Sequence, residues 1–120
     1  MKQLIVLLIF TTLVGCKSEM DKTIKQGYFD ACKKHNVETL VTSFFANPKW
    51  ESFVSPDDNK YHLNASGQIM YDNQTVNAVI QFEMEGDDRW QINAFEINGE
   101  AQNELMVAEL INEMCISADK

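Results

Sequence analysis

The stretch YHLNASGQIMYDNQTVNAVIQFEME, residues 61–85, decides the fold. In its first half Tyr61, Leu63, Ala65, Gly67, Ile69 and Tyr71 alternate with mostly polar residues, the two-residue period of a strand with one buried face. In its second half Val76, Ala78, Ile80, Phe82 and Met84 alternate with Asn77, Val79, Gln81 and Glu83. Asp72-Asn73-Gln74 turns the chain between them. The pattern predicts two antiparallel neighbours, with Val76 to Met84 facing the core together and Gln81 and Glu83 facing out or towards the rim.

Downstream, Gly86-Asp87-Asp88 is a turn. Trp90, Ile92 and Ala94 then share one parity while Phe95 and Ile97 take the other, so this strand is either covered on both faces or bulged near Ala94. Asn98-Gly99 is a strong turn signal. From Asn103 to Ile116 a helical stripe runs through Met106, Val107, Leu110, Ile111 and Met114, with Cys115 at its edge. Upstream, Ser55 to Lys60 (SPDDNK) is rich in turn formers, and KWESFV at 49–54 is short and apolar at Trp50, Phe53 and Val54. Asn36 is a plausible N-cap for a helix over 37–46, which Asn47-Pro48 stops because proline disfavours helical geometry in the residue before it. Residues 24–29 read as a short strand, with Gly27 at a bulge or close contact. The fold class expected is α+β: a two-layer sandwich in which an antiparallel meander of three to four strands is covered on one face by two amphipathic helices.

The N-terminus has a separate logic. Lys2 makes a short positive head, and LIVLLIFTTLV at 4–14 is an apolar run of signal-peptide length, shorter than the about 20 residues of a membrane span. It ends in Leu13-Val14-Gly15-Cys16, which resembles the lipobox of bacterial lipoproteins. That resemblance implies cleavage before Cys16 and a diacylglyceryl group on its thiol, and in many bacteria of that family the new amine is acylated too, with palmitate-type chains. It divides the chain into a signal peptide at 1–15, a lipidated N-terminus and tether at 16–25, and a single α+β domain at 26–120. Each buried methylene contributes roughly 0.8 kcal/mol, and two or more acyl chains anchor stably where one does not. Lys17 rather than aspartate after the cysteine favours outer-membrane delivery within that family. The element mix is similar in outline to small periplasmic lipoproteins such as the SmpA family. The G-Y-F…C…F-F-x-N-P-K-W-E-S-F and N-x-x-E-I-N-G strings resemble small envelope lipoproteins of uncharacterised activity.

With Cys16 acylated, Cys32 and Cys115 remain, and in the oxidising compartment that a lipobox implies they favour a Cys32–Cys115 disulfide. A metal site built from Cys32, His35, His62 and Cys115 is the competing reading, though it lacks the second close-spaced ligand pair usual for zinc; two free thiols are the third.

Motif chemistry is sparse. No G-x-S-x-G, H-E-x-x-H or phosphate-loop pattern occurs. His35 and His62 read as solvated or structural, and Asp57-Asp58 and Asp87-Asp88 as turn chemistry without the spaced oxygens of a calcium loop. No catalytic residue, metal ligand or cofactor is expected. A net charge of −8 with pI near 4.6 lacks the basic footprint of a nucleic-acid binder, and disfavours adsorption to anionic lipid except through an anchor. The functional expectation is a lipid-anchored, non-catalytic binding or assembly module of the cell envelope, joined to the membrane through Cys16 and docking another envelope protein. Its candidate contact is Pro48, Trp50 and Phe53, unless the two rings simply close the core. The alternative is a small-molecule-binding or enzymatic lipoprotein with a pocket between sheet and helices, lined by Tyr61, Tyr71 and Trp90.

Overall fold

The computed structural model describes residues 19–120, so the lipobox and Cys16 lie outside the described residues. Residues 19–25 are helical (α1), followed by α2 (Val37–Phe44), β1 (Ala46–Val54), β2 (Tyr61–Tyr71), β3 (Gln74–Met84), β4 (Trp90–Ile97), β5 (Glu100–Ala101) and α3 (Glu104–Ala118). The strands form one antiparallel sheet in the order β1-β2-β3-β4-β5, a meander. It is an α+β fold with one more strand and one more helix than expected.

The hairpin at the centre of the fold behaves as its alternation requires. Asp72 and Asn73 both take positive φ, 53° and 63°, the backbone that a two-residue turn between twisted strands needs. This turn sets Tyr71 opposite Gln74 and carries the register through to His62 opposite Glu83. Val76, Ala78, Ile80, Phe82 and Met84 are all buried, together with Tyr61, Leu63, Ala65 and Ile69 across the strand pair. The parity change in β4 is a bulge: Gln81 faces Ala94 and Phe82 faces Ile92, so Asn93 is the extra residue and both Ile92 and Phe95 meet the core.

Helices cover the inner face of the sheet. Asn36 caps α2, its side chain accepting the Thr39 N–H, and buries Val37, Leu40 and Val41. Asn103 does the same for α3 through Met106 N–H, and Leu110 and Met114 enter the core. Cys32 and Cys115 lie 6.0 Å apart at Cα with their sulfurs at bonded distance, which joins the loop before α2 to the last turns of α3.

Three expectations are corrected. The strand expected over 24–29 does not form: residues 19–25 are helical and only a single bridge, Phe29 to Cys32, follows. Ile24, within the segment expected to be a tether, is fully buried, because its side chain fills the core beside α2. The helix over 37–46 ends at Phe44, and the supposed connecting stretch is β1, an edge strand running through Asn47 and Pro48. Proline is tolerated there because an edge strand leaves half its N–H groups unpaired, and the register of β1 shifts between Ala46 and Lys49.

Candidate functional site

Among the described residues no helix packs on the outer face of the sheet, yet two of its polar side chains are buried. His62 of β2 and Glu83 of β3 face each other across the strand pair, with side chains 5% and 8% exposed. Register explains the pairing, and three neighbours explain the burial. Phe53 of β1, opposite His62, stacks on the imidazole at 5.1 Å between centroids and 10° between planes. The β1–β2 hairpin brings Asp58 against the ring, Asp58 Oδ1 to His62 Nε2 being 3.6 Å. Lys60 lies over the carboxylates of Glu83 and Glu85, at 3.7 and 3.3 Å.

Hydrogen bonds orient every polar member of the cluster. Asp58 Oδ1 accepts the Lys60 backbone N–H at 2.9 Å. That bond is the main reason its carboxyl is held below the usual carboxylate range; partial burial opposes it and His62 assists. The Lys60 ammonium is pushed above its ordinary value by its bond to Glu85 and by the charge of Glu83. Gln91 Nε2 donates to Glu83 Oε2 at 3.2 Å and to Glu85 Oε1 at 2.9 Å. His62 Nδ1 lies 3.2 Å from Gln81 Oε1, which also accepts from Asn93 Nδ2 at 2.6 Å. His62 Nε2 is buried and has no hydrogen-bond partner, as is Asn64 Oδ1 on the same face. Asp58, His62 and Glu83 each offer a ligand atom within 4.8 Å of the other two, and among the described residues no other such group occurs.

The residues singled out from sequence fall elsewhere. Trp50 and Phe53 lie on opposite faces of β1: Trp50 pairs with Ala65 and packs against the core under Lys25, whose Nζ is 4.9 Å from the ring, while Phe53 covers His62. Pro48, Trp50 and Phe53 therefore do not form one contact patch. Tyr61, Tyr71 and Trp90 do not line a common cavity either. Tyr61 is buried and donates to Asp21, and Tyr71 and Trp90 border separate clefts. The four-ligand set of Cys32, His35, His62 and Cys115 is excluded by geometry: the two sulfurs hold each other, and His35 Nε2 is bonded to Asp119 at 2.8 Å. His62 is neither solvated nor on a free polar face.

A cleft of about 480 Å³ opens between α3 and the sheet, floored by Ile69, Phe95, Ile97 and Leu110 and rimmed by Asp72, Glu109 and Glu113. Among the described residues no helix is long and apolar enough to cross a membrane. No protein-family model, curated protein or solved structure matches the chain.

Proposed function

We propose that the chain is a bacterial envelope lipoprotein, held by acyl chains on Cys16 with the outer membrane favoured, whose folded part lies outside the cytoplasm and acts as a non-catalytic binding or assembly module. The observation that supports this reading is how soon the fold follows the lipobox. Only Lys17 and Ser18 separate Cys16 from the helical residues 19–25, and Ile24 is already core. Three residue steps extend at most about 10 Å. An anchor at Cys16 would therefore hold the domain against the bilayer rather than on a long leash. A cysteine pair at bonded distance suits the same compartment.

The cleft between α3 and the sheet is the face offered to a partner. Its floor is apolar and its rim carries the carboxylates of Asp72, Glu109 and Glu113. It fits an apolar side chain from a basic segment of another envelope protein. The same cleft favours the second reading, a small apolar ligand.

Two measurements in cells test the proposal. Cys16→Ser removes the thiol that receives the diacylglyceryl group, so it should abolish labelling by a fatty-acid analogue and leave uncleaved precursor; equal label on both proteins would refute the anchor. A photo-reactive residue at Met70, which borders the cleft and is 64% exposed, should give an adduct of discrete mass with a second protein. An adduct with a small molecule alone would transfer the case to the second reading.

A further inference from the structure

We propose that Asp58, His62 and Glu83 bind a borderline first-row divalent cation of the Zn²⁺ class. This goes beyond the envelope-module reading and does not depend on it.

The argument starts at the imidazole. Gln81 Oε1 already accepts from Asn93 Nδ2 and can only accept again, so the short contact to His62 Nδ1 places the ring hydrogen on Nδ1. In the neutral ring Nε2 then carries the lone pair. It is buried, has no hydrogen-bond partner, and points between Asp58 Oδ1 at 3.6 Å and Glu83 Oε1 at 3.9 Å. A lone pair facing two anionic oxygens needs a positive centre between them.

Distance selects which centre. A proton on Nε2 would supply charge, but 3.6 and 3.9 Å are too long for either contact to be a hydrogen bond. A metal ion sits at about 2.0–2.2 Å from nitrogen and oxygen ligands, so two ligands of a tetrahedral centre lie about 3.4 Å apart. The two edges observed at His62 need only tenths of an ångström of closure, and all three ligand atoms lie within 4.8 Å of one another.

The surrounding groups behave as an outer shell. Metal-bound histidines donate their other ring N–H to an acceptor, which fixes the tautomer and the ring, and Gln81 is that acceptor here. Gln91 holds Glu83 Oε2, while Oε1 faces both the imidazole at 3.9 Å and Lys60 Nζ at 3.7 Å, so an ion bound there would take the place of the Lys60 contact. Phe53 seals one ring face. Charge agrees as well: Asp58, Glu83 and Glu85 contribute three carboxylates against one ammonium, and Lys60 lies nearer Glu85 than Glu83. The imidazole nitrogen disfavours Ca²⁺ and Mg²⁺, which prefer oxygen alone, and the lack of a thiolate disfavours Cu(I). Asp58 is the exposed member, 40% at its side chain, so the ion enters from the hairpin side and keeps a position open to water.

The test uses the full protein in detergent, stripped with chelator and titrated with ZnCl₂ against a chromophoric competitor. Saturable binding of one Zn²⁺ per chain is expected. Asp58→Asn, which retains an oxygen for the Lys60 N–H, and Glu83→Gln should each weaken it at least tenfold. Gln81→Ala should weaken it about 10–100-fold through the loosened ring. His35→Ala should leave it unchanged. Nitrogen NMR of the imidazole should show the His62 Nε2 resonance move on Zn²⁺ addition. Absence of saturable binding, equal affinity in Asp58→Asn and Glu83→Gln, dependence on His35, or an Nε2 that remains protonated in the presence of Zn²⁺ would each overturn the site.

Discussion

Gly27 sits where no side chain fits. A Cβ there would fall 2.6 Å from Trp90 Nε1 and 2.7 Å from Trp90 Cζ2. The ring cannot simply step aside, because it meets Phe29 and Phe82 edge-on at 5.4 and 5.6 Å and so belongs to the packing at that end of the core. Gly27→Ala should therefore cost about 1–3 kcal/mol through overpacking, seen as a lower urea midpoint with altered Trp fluorescence. An unchanged midpoint would show that the ring has room to move. The glycine was legible as a close approach; its partner, more than sixty residues along, was not. His62 shows the converse. The two-residue turn at Asp72-Asn73 implies every cross-strand pair beyond it, so His62 opposite Glu83 could have been counted from the sequence. What alternation could not supply was burial on the polar face, which comes from Phe53 of a neighbouring strand and from the fold-back of the 55–60 hairpin.

Elements with a clean period were readable, and those defined by tertiary contact were not. β2, β3 and the α2 cap follow from alternation and from Asn36, whereas α3 was read from its apolar stripe and its Asn103 cap emerged only in the structure. β1 was obscured by Asn47, at φ 53°, and by Pro48, which look like a connector until the edge position is known. Helical residues 19–25 have a polar composition, and it is tertiary contact that shows they belong to the fold: Ile24 is buried, Met20 is partly buried against the core, Asp21 accepts from Tyr61 and Lys25 lies over Trp50. At the other end of the chain the Asp119 cap couples two elements. Its carboxylate accepts from His35 Nε2 at 2.8 Å and lies 3.7 Å from Lys34 Nζ, linking the start of α2 to the end of α3. The His35 bond is the main cause that lowers the Asp119 carboxyl below its usual range, with partial burial opposing and the Lys34 charge assisting. A carboxyl depressed in the folded state contributes stability that is fully present above its unfolded value, about 3.9, and is lost as pH falls through the folded one. Wild type should accordingly be slightly more stable than Asp119→Asn at pH 6. That advantage should shrink to nothing as pH is lowered from about 4 towards 2, as read from urea midpoints. The effect is small because the site is open to solvent. A difference that persists undiminished at pH 2 would show that Asp119 acts by some route other than its charge.

At the scale of the whole molecule, the meander keeps each strand beside its sequence neighbour, so the sheet supplies no contact between the two ends of the domain. The ends meet through the helices. Cys32 and Cys115 are separated by 83 residues, and with their Cα atoms 6.0 Å apart a bond between them closes almost the entire domain into one loop. Parity and compartment were enough to favour this pair from sequence; the proximity depends on α2 and α3 lying side by side over one sheet face. In the chain-entropy account a loop of this length restricts the unfolded chain by on the order of 4–5 kcal/mol, a large share of a small domain's stability. Cys32→Ser and Cys115→Ser should lower the thermal midpoint by similar amounts. The double variant should fall little further, since each change removes the same bond and their effects do not add. Reductant should lower the wild-type midpoint and leave all three variants nearly unchanged. Mass before and after alkylation of unreduced protein decides the matter directly: no alkylation at either position is expected. Two freely alkylated thiols in folded, envelope-exported protein would show that the sulfurs meet without bonding, and the two ends of the domain would then be held by the packing of α2 and α3 alone.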